Sequence, residues 1–183
     1  VTEPKLSGVY NMEVYSGKEL LFTGKDLTIQ QNILWDSSIE LAAADMLERR
    51  SKFTRVGAGW MDAGVLWVES PAQSGMVMAL EEIVELKSDK VPSDLLKRIY
   101  HQITVGCDYL VMLRDEAEKR GHPKGAMSHD LHGHEDDIVP SDAVKAVVAL
   151  ARAVKLLPDT YSEKKAAYKE TALLTMNWLT NKA

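Results

Sequence analysis

The string Val-Pro-Ser-Asp occurs twice, at residues 91–94 and 139–142, and each copy opens a long stretch with apolar residues at helical spacing. Proline suits the first helical turn because its missing N–H would have no intrahelical partner there, and Ser or Asp oxygens accept from the amides left over. The first stretch closes at Gly121, with Lys119 and Arg120 in its last turn and Pro123 just beyond. The second stops before Pro158. Ser70-Pro71-Ala72-Gln73 follows the same logic, with a capping Ser, Pro at the first helical position and Gln three residues after the cap, and predicts a helix to about Lys87. Thr160 and Glu163 form the capping box of a final helix. Ser37-Ser-Ile-Glu40 is another, leading into Ile39, Ala42, Ala43, Met46 and Leu47 at helical spacing, and Asp26 reads as the cap of a helix starting near Leu27. Residues 51–69 are ambiguous, because Gly57, Gly59 and Gly64 weaken a helix and Val65–Val68 suits a helix or a short strand. The expected fold is all-α, a helical bundle of five or six helices whose short connections favour antiparallel neighbours.

The N-terminus is the exception. Gly8–Tyr15 and Glu19–Thr23 are two β-prone runs around Ser16-Gly17-Lys18, the signature of a short β-hairpin. An isolated hairpin is marginal in water, so this one is expected to pack on helices or to pair with another chain, making a homo-oligomer the expected assembly. The chain reads as a single domain over residues 1–183: an arm at 1–7, the hairpin at 8–24, a helical core at 27–120, a His/Asp-rich connection at 121–140 and a C-terminal helical pair at 141–183.

Composition removes some classes of function. The longest apolar runs, such as Ala146–Ala151, fall far short of the roughly 20 residues of a membrane-spanning helix. A net charge of −5 without a long basic run argues against non-specific nucleic-acid binding, which depends on Lys and Arg neutralising phosphates. Cys107 is the only cysteine, so no internal disulfide forms; a reducing compartment, the cytoplasm, is expected. There is no Gly-Lys-Ser/Thr phosphate loop, no G-x-S-x-G elbow and no dinucleotide glycine fingerprint.

Two clusters carry possible chemistry. In Leu80-Glu81-Glu82-Ile83-Val84-Glu85-Leu86, Glu82 and Glu85 are three apart and share a helix face, where they can converge on one cation. The next helix puts His101, Thr104 and Asp108 on one face. Were the helices antiparallel neighbours, Asp108 would approach Glu82 and Glu85 and make a three-carboxylate site for Mg²⁺, which prefers oxygen ligands and would bridge phosphate oxygens. Glu81-Glu82-Ile-Val-Glu85 followed by Asp108-Tyr-Leu-Val-Met-Leu113 resembles the MazG-like all-α nucleoside triphosphate pyrophosphohydrolases over about residues 72–120. The resemblance implies E-x-x-E and E-x-x-D helices holding Mg²⁺, hydrolysis of a nucleotide between its α- and β-phosphates, and dimers or tetramers. Glu82, Glu85 and Asp108 would be the metal ligands, with Glu81 or His101 assisting catalysis. Val105 stands where the family's second Glu belongs, which removes a ligand and a negative charge. The same acids also suit a solvated helix face.

The second cluster is Ser128-His-Asp-Leu-His-Gly-His-Glu-Asp-Asp137, in a connection that also holds His122. Imidazole with carboxylate suits Zn²⁺ or another transition metal. His129, His132 and His134 would be its ligands, with Asp130, Glu135 or Asp136 as a fourth ligand or as hydrogen-bonded support. The alternative is a solvated polar loop, or a pH-sensitive contact. Cys107 beside Gly106, and Trp35, Trp60, Trp67 and Trp178, read as packing residues. Three functions follow: a Mg²⁺-dependent nucleotide pyrophosphohydrolase, a non-enzymatic helical assembly protein docking through the hairpin, and a transition-metal protein using the histidine loop.

Overall fold

A computed structural model of the protein describes residues 7–29, 38–62 and 65–181. The chain forms two compact units, one up to Leu41 and one from Ala42 onward. The first holds β1 (Gly8–Ser16) and β2 (Glu19–Ile29), an antiparallel pair turning at Gly17, whose φ is +61°. Among the described residues the second holds five α-helices: α1 (Met46–Ser51), α2 (Ser70–Lys87), α3 (Ser93–Lys119), α4 (Pro140–Leu156) and α5 (Ser162–Asn181). A π-helical turn, Leu41–Asp45, precedes α1, and a 3₁₀ turn, Asp159–Tyr161, precedes α5. Helices dominate, with a short N-terminal hairpin, as the punctuation predicts.

Four of the helices close a ring of contacts. α2 packs against both α3 and α4, α4 against α5, and α5 returns to α3. α3 is the deepest: Ile99, Ile103, Cys107, Tyr109, Leu110, Leu113 and Ala117 are completely buried. It ends as predicted. Gly121 takes φ +88°, and the amides of Gly121 and His122 return to the carbonyls of Glu118 and Ala117. α4 meets its neighbours through small side chains, Ala143, Ala146, Ala149 and Ala153. α5 answers with a stripe of Tyr168, Thr171, Ala172, Thr175 and Trp178.

Three readings of the sequence need correction. Asp26 caps no helix: β2 runs to Ile29, and Asp26 sits within it at φ +55°, its amide donating to the Asn11 side chain at 3.2 Å. Ser70 is the first helical residue rather than the cap, and Gln73 has other work. Its amide accepts from the Trp60 N–H and donates to the Trp60 carbonyl, both at 2.9 Å. Residues 52–62 and 65–69 are loop, not helix or strand. Trp60 is buried in that loop, donating its indole N–H to Gln102 at 2.8 Å, while Trp67 is exposed. Trp35 and Ser37 lie outside the described residues.

Gly106 sets how closely this loop and α2 approach α3. A Cβ there would stand 2.4 Å from Val77 Cγ2 and 2.6 Å from the Trp60 ring. Gly106→Ala gains about 1 kcal/mol of helix propensity but overpacks the junction by about 1–3 kcal/mol. Urea denaturation is expected to show net destabilisation, whereas Gly75→Ala, where a Cβ meets nothing within 4 Å, is expected to stabilise α2.

Candidate functional site

The carboxylates singled out on α2 and α3 face different partners. Arg152 of α4 reaches Glu82 at 2.8 Å and Glu85 at 2.9 Å, and Lys155 reaches Glu85 at 3.0 Å. Asp108 instead accepts from Lys164 and, at 2.7 Å, from the Tyr168 hydroxyl, both on α5. The acids thus tie α2 to α4 and α3 to α5. Among the described residues no three His, Cys, Asp or Glu side chains stand together so as to hold a metal ion. The structure therefore does not assemble Glu82, Glu85 and Asp108, or His129, His132 and His134, into a three-ligand group.

Glu81 and His101, the two residues expected to assist catalysis, also part company. His101 is exposed and lines a cavity of about 330 Å³ with Thr104, Val105, Asp108, Tyr161 and Lys164. Glu81 is sealed in the core at 0% exposure, with neither carboxyl oxygen hydrogen-bonded among the described residues. Burial pushes its pKa up to about 8, against the opposing pull of Arg152, whose Nε is 3.7 Å away. Burial prevails because the other end of that guanidinium is committed to Glu82 and Glu85. Cys107 is completely buried, and burial pushes its thiol well above the ordinary range, so it is a packing residue.

The α3–α4 connection is ordered by polar contacts that its composition does not reveal. Asp130 is its centre, with a side chain 2% exposed. One carboxylate oxygen accepts the backbone amides of His132 at 2.8 Å and His134 at 3.0 Å. The other meets His134 Nδ1 at 2.9 Å. Burial alone would raise the Asp130 pKa, but these donors outweigh it and hold the carboxyl below its usual range. A second pair joins His129 Nδ1 to Asp142 Oδ2 at 2.8 Å. Asp142 belongs to the second Val-Pro-Ser-Asp copy. The equivalent Asp94 is exposed, so one string serves two purposes.

The loop is fastened at both ends. The Ser128 amide donates to the Leu113 carbonyl, the Ser128 hydroxyl to the Glu135 carbonyl at 2.6 Å, and the Ser70 amide to the His129 carbonyl at 2.9 Å. The Tyr109 hydroxyl accepts from the Leu131 amide at 3.2 Å and donates to the Val68 carbonyl. Outside this core, Arg120 bridges Glu116 and Asp136, and His122 Nε2 lies 3.3 Å from Asp136.

The hairpin carries another candidate surface, and its register explains it. Tyr10 pairs with Leu27, Met12 with Gly24 and Val14 with Phe22. Between the first two pairs β2 has one residue more than β1, a bulge containing Asp26. Strict alternation would send Leu27 and Ile29 to the face opposite Phe22; the extra residue returns them to it. A Cβ on Gly24 would meet Leu27 at 3.1 Å and Phe22 at 3.2 Å, so these side chains flank it on one face. Met12, Val14, Phe22, Leu27 and Ile29 thus make an apolar face, and all are exposed.

Glu81 yields a test by pH. A carboxyl whose folded pKa lies above its unfolded value of 4.5 favours the folded state fully below pH 4.5, and that contribution is lost as pH rises through about 8. Glu81→Gln should match the wild type in denaturant stability near pH 4 and exceed it near pH 9, by an amount on the order of a few kcal/mol. A stability difference that does not change with pH would refute the assignment. Comparison with known proteins finds no match: no family model, no curated protein and no solved structure matches this chain.

Proposed function

We propose that this chain is an assembly protein: a helical bundle bearing a β-ribbon through which it associates with a second copy of itself. The observation that carries the reading is the exposed apolar face of Met12, Val14, Phe22, Leu27 and Ile29. A two-stranded ribbon is marginal in water, and an uncovered apolar face on it favours association. The same face on two copies is self-complementary about a twofold axis, the commonest symmetry of soluble oligomers. A nine-residue ribbon offers roughly 300 Å² on one face. A stable partner typically covers about 800 Å² per subunit, so the outer backbone edges of β1 and β2, which pair with no other strand among the described residues, are expected to take part as well.

The pyrophosphohydrolase reading competes with this one. It requires Arg152 and Lys155 to release Glu82 and Glu85, because the ion pairs already neutralise the charge that would attract Mg²⁺. The two readings separate by experiment. Sedimentation of the full chain is expected to show concentration-dependent self-association. Phe22→Asp is expected to weaken it at least tenfold, since burying one large apolar side chain contributes about 1.5–3 kcal/mol, while helical circular dichroism stays unchanged. A wild-type chain that stays monomeric at high concentration would overturn the assembly reading. Mg²⁺-dependent release of pyrophosphate from nucleoside triphosphates, abolished in Glu82→Gln, would establish its competitor.

A further inference from the structure

We propose that the cavity lined by His101 and Asp108 binds a small zwitterion of the α-amino acid class, its charged head held by Lys164 and Asp108 and its side chain running past Val105 toward His101. The cavity lies between α3, the start of α5 and the loop around Ala58. Its volume of about 330 Å³ is at the small end of ligand pockets, which span roughly 300–1,000 Å³. Its lining residues all belong to the helical unit, so the inference does not rest on the ribbon or on self-association.

The charges in the wall decide what fits. Lys164 and Asp108 form an ion pair that water still reaches, with side chains 42% and 38% exposed. Asp108 is held in place from behind, because its other oxygen accepts from the hydroxyl of the buried Tyr168 at 2.7 Å. Neither member is used up. Asp108 is the one partner of the Lys164 ammonium among the described residues, which leaves that ammonium with N–H donors to spare, and each Asp108 oxygen keeps a further lone pair. A simple anion drawn to Lys164 is repelled by Asp108, and a simple cation drawn to Asp108 is repelled by Lys164. A ligand that carries both signs side by side meets each with its opposite. An α-amino acid does so, with ammonium and carboxylate on one carbon.

The other end of the cavity suits a polar side chain. His101 stands two turns before Asp108 on the same face of α3, about 10 Å along the axis, with Val105 between them. Ala58 and Tyr161 add apolar surface to the walls. The Thr104 hydroxyl is committed to the His101 carbonyl at 2.8 Å. The His101 ring makes no hydrogen bond among the described residues and, when neutral, offers one donor and one acceptor. An amide at the ligand's far end satisfies both. A carboxylate there would be repelled by Glu48, whose charge reaches His101. L-glutamine is therefore the fitting probe.

The test titrates the full chain with L-glutamine and follows the wild-type spectrum by NMR, a readout that does not depend on any variant folding. The ring resonances of His101 should shift saturably, while those of His122 and His134 stay in place. Glutaramate, which lacks the ammonium, and 4-aminobutanamide, which lacks the carboxylate, should each bind at least tenfold more weakly, since a hydrogen bond to a charged group contributes about 1.5–3 kcal/mol. Val105→Phe, which fills the cavity and leaves every charge in place, should abolish binding while helical circular dichroism is unchanged. Asp108→Asn should narrow the preference for L-glutamine over glutaramate, an effect that a purely structural ion pair would not produce. No saturable shift at His101 would overturn the proposal, as would equal affinity for L-glutamine and either analogue, or binding that survives in a folded Val105→Phe.

Discussion

The hydroxyl of Tyr109 is the contact on which the arrangement of the helical unit turns. It projects from the fully buried middle of α3, donates to the Val68 carbonyl and accepts the Leu131 amide. One oxygen therefore fixes the end of the loop that leads into α2 and the middle of the connection that leads into α4. Both segments lack helical hydrogen bonds of their own and must find partners elsewhere. Burial raises the Tyr109 pKa, so the phenol keeps its proton and can hold both contacts at once. The Ser70 amide, two residues beyond Val68, bonds to the His129 carbonyl, so the two anchored segments also brace each other.

Charge is distributed around the bundle by the same economy. Arg98 ties α1 to α3 through Asp45 and Glu48, Arg152 ties α4 to α2, and Lys164 ties α5 to α3. These partly exposed pairs add little stability one by one, and their larger effect is to fix which helix faces which. Glu81 shows the opposite balance. It lies next to an arginine yet burial raises its pKa to about 8, because that arginine's charge is shared with acids nearer the surface.

Much of the architecture was legible because it is written locally. Pro92, Gly121, Pro140 and Pro158 act on the backbone within a residue or two, so the limits of α3 and α4 could be read directly. What could not be read depends on partners distant in sequence. Glu82 and Glu85 look alike whether they await a cation from solvent or already hold Arg152, nearly 70 residues away. Gln73 resembles a capping residue until Trp60 claims its amide. The histidines and acids of the connection stood out by composition, but the central place of Asp130 did not, since a buried aspartate bonded to its own loop has no spacing signature. Asp26 misled for a related reason. Asp favours both helix caps and left-handed turns, and only the pairing register distinguishes them.

The bulge in β2 makes the ribbon sensitive to length rather than to composition. Its apolar side depends on a count of residues between Phe22 and Leu27, one of which is spent on the left-handed Asp26. Exchanging one large apolar side chain for another leaves the surface intact. Deleting or inserting a single residue at that point inverts the far end of the strand.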